Sequence, residues 1–169
     1  MAINIKKVSD EDLWNLYSSS IKELKRRNLI RSKNITGERG ESLVINFYNK
    51  TKNLPKLQIA PVGTKNVDAI SRDGERYSIK SIVFPNKTTG VFYGMGTVDK
   101  PVDEEKFEYL IIVLLDDDYN LLEIVELAWG TFVKFKKWHS RMNAFNISLS
   151  KNLLHESKML FSATNEKKS

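Results

Sequence analysis

The segment from Phe107 to Leu115 constrains the fold more than any other part of this sequence. It is almost unbroken in its apolar character, with Glu108 the one charged residue near its start. A run of this kind reads as a central strand covered on both faces. Its uninterrupted part, Tyr109 to Leu115, is the longest apolar stretch in the chain. A bilayer-spanning helix needs about 20 such residues, so no membrane segment is expected.

What surrounds that strand must cover it. The chain has 169 residues, enough for one domain with a real core, and a single domain over 1–169 is the expectation. An apolar content of 41% with three Trp excludes disorder. The absence of Cys excludes a disulfide scaffold, a cysteine metal site and a cysteine nucleophile. With His139 and His155 the only histidines, a multi-histidine zinc site is not expected either. The N-terminus, Met1 to Asp12, turns polar and acidic where a signal peptide would be apolar, so the reading is cytoplasmic. Lys and Arg number 27 against 21 Asp and Glu, a net charge of +6. That balance points to an anionic partner, nucleic acid first. The excess of Lys over Arg, with abundant Asn and Ile, is equally what an AT-rich coding sequence produces.

Ser9, with Asp12 three residues on, starts a helix over about 9–27. Leu13, Trp14, Tyr17, Ile21 and Leu24 fall on one face of it, with Lys22, Lys25 and Arg26 on the other. The basic stretch Lys25 to Lys33 leads out into a loop. A second helix is expected from about Gly37 to Asn49, with Leu43, Val44, Phe47 and Tyr48 as its stripe. Gly37 and Gly40 share the stripe's side; either they let the helix approach a sheet closely or they belong to the preceding loop. After Pro55 short extended runs follow: Leu57 to Ala60, Val67 to Ser71, Glu75 to Val83, and Leu121 to Glu126 beyond the turn Asp116 to Asn120. A short helix over Leu127 to Lys137 and a last strand over Asn146 to Ser150 complete the pattern, and Ala163 to Ser169 reads as a flexible tail. Helices followed by a strand meander and mixed elements imply α+β or a mixed α/β sheet. The long connection Pro85 to Pro101, with Phe92 and Tyr93, is either a substrate-contacting flap or a cover for the core edge.

The stretch from Asn66 to Lys80 carries the chemistry. It reads as a hairpin with an acid, Asp68, on the first strand and a lysine, Lys80, on the second. Two turns suit Arg72-Asp73-Gly74. A two-residue turn at Asp73-Gly74 pairs Asp68 with Ile79 and turns Lys80 away. A three-residue turn with Gly74 as a bulge pairs Ser71 with Glu75, sets Asp68 opposite Ser78 and keeps Lys80 on the same face. The bulged register is preferred because it joins Asp68 and Lys80 in one site.

An Asp on one strand, an x-Lys pair on the next, and a preceding helix bearing a Glu resemble the PD-(D/E)xK nuclease superfamily, over roughly Gly37 to Lys80. The resemblance implies an α/β fold with a restriction-endonuclease-like core, over about 37–150, its mixed β-sheet flanked by helices. It implies Mg²⁺ as cofactor, held by Asp68, and Lys80 as the catalytic lysine that positions or activates the attacking water. Val67 stands where the family commonly has Pro. Ser78 stands where the family has its second acid, two residues before the lysine. Some restriction endonucleases carry Ser-x-Lys there and draw the missing carboxylate from a helix. Glu41, at the edge of the second helix's stripe, takes that part, with Glu104 or Glu105 weaker candidates, and the carbonyl of Ile79 adds an oxygen ligand. Glu38 sits further round, towards solvent, and Glu75 faces away. Without the family, Asp68 is a turn cap and Lys80 a solvated strand residue.

Lys87, Lys134, Lys136, Lys137 and Arg141, the last four around Trp138 and His139, are candidate nucleic-acid contacts; the same residues also suit a solvated helix face. The function expected is an Mg²⁺-dependent endonuclease acting on double-stranded DNA, in its most concrete form a type II restriction enzyme working as a homodimer. The alternatives are a DNA-binding protein that kept the fold and lost catalysis, or an interaction subunit of a larger defence or repair assembly.

Overall fold

The structure is a computed structural model that describes residues 4–61, 63–100, 102 and 104–166. Helix α1 (Asp10–Arg26) starts where expected: the Ser9 side chain accepts from the Asp12 N–H and donates to the Asp12 carboxylate at 2.7 Å. Helix α2 (Ile35–Lys50) starts two residues before Gly37, because the Asn34 side chain caps it by accepting from the Gly37 N–H. Both glycines therefore lie inside the helix. They do different things. A Cβ on Gly37 would meet only the capping Asn34 side chain, whereas a Cβ on Gly40 would come within 1.8 Å of Ser81 Oγ. Close approach of helix to sheet is thus made at Gly40.

Six strands form one sheet in the order β1 (Leu57–Ile59), β2 (Ala69–Ser71), β3 (Arg76–Val83), β4 (Tyr109–Leu115), β5 (Leu121–Ala128) and β8 (Lys158–Ser162). All neighbours are antiparallel except β3 and β4. Strand β4 is central and covered on both faces, as its composition requires. Ile111, Val113 and Leu115 pack with Val44 and Tyr48 of α2. Leu110 and Ile112 pack on the other side with Phe92, Phe107, Phe132 and Phe145. Each such buried aliphatic side chain contributes on the order of 1.5–3 kcal/mol.

That second face is covered by α3 (Trp129–Phe135), by the small hairpin β6 (Lys137–His139) with β7 (Ala144–Asn146), by α4 (Lys151–His155), and by the connection after β3. A parallel pair needs a long crossover. Here that crossover is the segment after Val83, which is a cover for the core: Phe92 and Met95 are buried, and the Phe92 N–H donates to the Phe145 carbonyl at 2.7 Å. Tyr93 beside it is exposed. The sheet also extends past the expected end of the core at 150, because β8 is its last strand. Residues Ala163–Glu166 form a short helix, α5, where a flexible tail was expected; 167–169 lie outside the described residues.

Candidate functional site

The hairpin register is the bulged one. Ala69 pairs with Tyr77 and Ile70 with Arg76, so Asp68 lies opposite Ser78. The Ser71 N–H donates to the Glu75 carbonyl, the Gly74 N–H to the Ser71 carbonyl, and Gly74 takes φ +88. A positive φ at the third turn residue costs glycine nothing, so Arg-Asp-Gly accommodates this turn.

Asp68 is held firmly. Its N–H donates to the Tyr77 carbonyl at 2.8 Å, and its carbonyl accepts from Ala60 at 2.9 Å. Its Oδ2 accepts the Ile79 N–H at 2.6 Å and lies 3.4 Å from Ser78 Oγ. The carboxylate thus closes the β2–β3 ladder just before β2 begins, reaching across to the neighbouring strand and not capping a turn. Ser78 is completely enclosed, at 0% exposure, with its hydroxyl on Asp68. Its place is behind the carboxylate, bracing it. Ile79 presents its N–H to Asp68, a contact that sequence reasoning did not give it.

Lys80, next on the same face as Ser78, is half-buried, with Nζ 5.0 Å from the centre of the Phe92 ring. A cation over an aromatic face is attracted by the ring quadrupole. The crossover therefore supports the lysine from below. Glu41 on α2 lines the same cleft as Asp68, a space of about 380 Å³ that Arg31, Asn34, Glu38 and Thr64 also line. At about 30 Å³ per water, that holds a hydrated ion and a phosphodiester group. Burial pushes the Glu41 carboxyl above its ordinary range, and the charge of Asp68 pushes it further; Arg31 and Lys80 pull it partly back.

Arg31 and Glu38 were not foreseen as parts of this cleft. The Arg31 guanidinium lies 2.8 Å from Glu41 and 3.6 Å from Glu38. Glu38 was expected towards solvent and is instead buried, at 7% exposure. It accepts the Arg31 N–H at 2.5 Å and so ties the α1–α2 loop down. Burial works to raise the Glu38 carboxyl, but hydrogen bonds from Ser32 and Arg31, with the charge of Arg31, hold it below the usual range. Glu75 turns back to the hairpin, accepting from the Tyr77 hydroxyl at 3.1 Å. Glu104 pairs with Lys106 at 2.6 Å, and the Glu105 carbonyl accepts from Arg76; neither lines the cleft.

The basic cluster divides. Lys134 is ion-paired with Glu156 at 2.5 Å, and Lys136 Nζ lies 4.2 Å from the centre of the Phe145 ring. These two are engaged within the fold. Lys87, Lys137 and Arg141 are exposed, while His139 caps a short turn by accepting from the Met142 N–H.

Among the described residues no group of three or more His, Cys, Asp or Glu side chains is gathered in metal-binding fashion. The donors present are the Asp68 and Glu41 carboxylates, hard oxygen ligands whose mutual repulsion a divalent cation would relieve. That set fits Mg²⁺, which commonly takes one or two carboxylates and fills its octahedron with water and phosphate. Among the described residues no helix is long and apolar enough to cross a membrane. The chain matches no protein-family model and no curated protein.

Proposed function

We propose that this chain is an Mg²⁺-dependent endonuclease acting on double-stranded DNA, built on a restriction-endonuclease-like core, with two copies cutting the two strands. One observation carries the reading. The bulged hairpin sets Asp68 beside Ser78, with Lys80 next on that face, and Glu41 lines the cleft that Asp68 lines.

Asp68 and Glu41 would hold the ion. When bound, Mg²⁺ supplies positive charge to the scissile phosphate and lowers the pKa of a water. The protein's own groups do the rest. The Ile79 N–H and Ser78 hydroxyl fix the Asp68 carboxylate in one orientation. Lys80, steadied over Phe92, places its ammonium where it stabilises a hydroxide or the negative charge that builds on phosphorus oxygens. Arg31 is free to leave Glu41 for a phosphate oxygen once another cation takes its place, since guanidinium binds either anion.

The second reading, a DNA-binding protein without catalysis, is favoured by one feature. Asp68 Oδ2 is already engaged by Ile79 and Ser78, and Glu41 by Arg31, so both carboxylates have partners within the chain. Incubating the protein with supercoiled plasmid and Mg²⁺, against EDTA and against Lys80→Ala, separates the readings. Metal-dependent nicking that Lys80→Ala abolishes is expected. Plasmid retarded but intact in every lane supports the second reading.

A further inference from the structure

Helix α1 projects its apolar stripe into solvent. Trp14 is 70% and Tyr17 54% exposed, Leu13 is exposed beside them, and no residue of α1 is buried. Ile5, in the turn before the helix, adds to the same groove. Among the described residues the Leu13–Trp14–Tyr17 part of this apolar face is uncovered while Ile21 and Leu24 are half-buried, and an exposed apolar helix face of this kind is built to meet another surface.

The charges say which. The first turn of α1 carries Asp10, Glu11 and Asp12, and the last turn carries Lys25 and Arg26, with Arg27 as the cap. Of the three cations read from the sequence as lying opposite the stripe, Lys25 falls only about 20° beyond Trp14 at 100° per residue, so it borders the stripe, and Glu11 lies beyond it on the same side. Neither makes an ion pair among the described residues. Two such helices laid antiparallel about a two-fold axis near Ser18 bring Glu11 of each against Lys25 of the other. The same register sets Leu13 against Leu24 and Trp14 against Ile21, while Arg26 points away from the stripe and pairs with Glu23 of its own helix. Glu11 meets Lys25 at both ends, and Leu13, Trp14, Ile21 and Leu24 each meet a stripe residue. A parallel pair would stack acid on acid. An anionic membrane would repel the acidic first turn.

We infer that α1 is the self-association surface of this protein, pairing antiparallel with α1 of a second copy through the Leu13–Trp14–Tyr17–Ile21–Leu24 stripe. The inference rests on α1 alone and stands whether or not the chain cleaves DNA.

Sedimentation equilibrium of the full chain tests it, with no DNA or metal present. A concentration-dependent dimer is expected. Trp14→Ser with Tyr17→Ser leaves a monomer of unchanged circular dichroism, because neither side chain is buried. Glu11→Lys and Lys25→Glu each weaken the dimer roughly tenfold, since symmetry removes two pairs and creates two repulsions. Mixing the Glu11→Lys chain with the Lys25→Glu chain restores association, because the antiparallel heterodimer has both pairs complementary. A parent that stays monomeric, or a dimer indifferent to the stripe substitutions, overturns the inference. So does a mixture no tighter than either variant alone.

Discussion

Gly40→Ala is the most direct probe of how α2 is placed. The new methyl would lie 1.8 Å from Ser81 Oγ and 3.1 Å from Ser81 Cβ, and it would be in ordinary contact with Val113 at 3.7 Å. The hydroxyl must move or the helix must lift. Overpacking of this kind costs about 1–3 kcal/mol. Alanine returns roughly 1 kcal/mol of helix propensity. The net expectation is a loss of up to about 2 kcal/mol, which for a chain of this size lowers Tm by as much as roughly 8 °C. Ser81 offers the control. Its Oγ is buried and has no hydrogen-bond partner among the described residues. Ser81→Ala alone should therefore be neutral or slightly stabilising, and in the Gly40→Ala background it should recover on the order of 1 kcal/mol or more as a favourable coupling. Urea unfolding of the four proteins measures this. Additivity of Gly40→Ala with Ser81→Ala would refute the claim that the glycine exists for close approach. Glu41 follows Gly40 in the chain, so a lifted helix also carries the carboxylate away from Asp68. Cleavage should fall further than stability does, and Ser81→Ala should restore both.

The two helix carboxylates should respond to pH in opposite senses. Glu41 has its carboxyl raised, so its ionisation costs stability as pH climbs from 4.5 through the raised value. Glu41→Gln should melt higher than the parent at neutral pH, with the gap closing towards pH 4, while losing Mg²⁺-dependent cleavage. Glu38 is held low, so its contribution is present above 4.5 and lost as pH falls through the lowered value. Glu38→Gln should melt lower at neutral pH with the gap closing only below about pH 4.5, so the thermal scan that reads both variants runs from about pH 3 to 8. Ser78→Glu, although it puts an acid where the resembled family has one, is expected to disrupt folding, because position 78 is fully enclosed beside Asp68; recovery of soluble, folded protein would contradict this. If DNA runs along the exposed basic side chains, Lys137→Ala or Arg141→Ala should each reduce the log–log salt slope of binding by about 0.9. Lys134→Ala, already paired with Glu156, should leave that slope unchanged.

Much of this architecture is written in local chemistry. The Ser9 cap, the apolar run of β4 and the Arg-Asp-Gly turn each act over a few residues, so periodicity and turn rules find them. Gly74 suits either of two turns, and the Asp68–Ser78 pairing is preferred because only that register joins Asp68 and Lys80. What escaped was decided at a distance. Strand β8 has few marks of its own and becomes a strand because β5 offers it an edge. Glu38 looks solvent-facing on a helical wheel, but the loop bearing Arg31 folds over it. The α1 stripe carries the ordinary signal of a buried helix face, yet its Leu13, Trp14 and Tyr17 are uncovered. Composition states that a surface is apolar, not whether its partner lies in the same chain.

The route taken by the crossover bears on how such a site could be moved or minimised. The charged groups lining the cleft, Arg31, Glu38, Glu41 and Asp68, and with them Lys80, lie within less than a third of the chain. A fragment ending shortly after Lys80 would carry all of them, yet it would not carry their arrangement. Lys80 rests on Phe92, and Phe92 hangs by its N–H from Phe145, sixty-five residues beyond the lysine. The lysine's support is therefore completed only when nearly the whole chain has been made. Contacts of that sequence separation form late and slowly. A graft of the Asp68–Lys80 hairpin into another sheet would have to bring an aromatic floor with it.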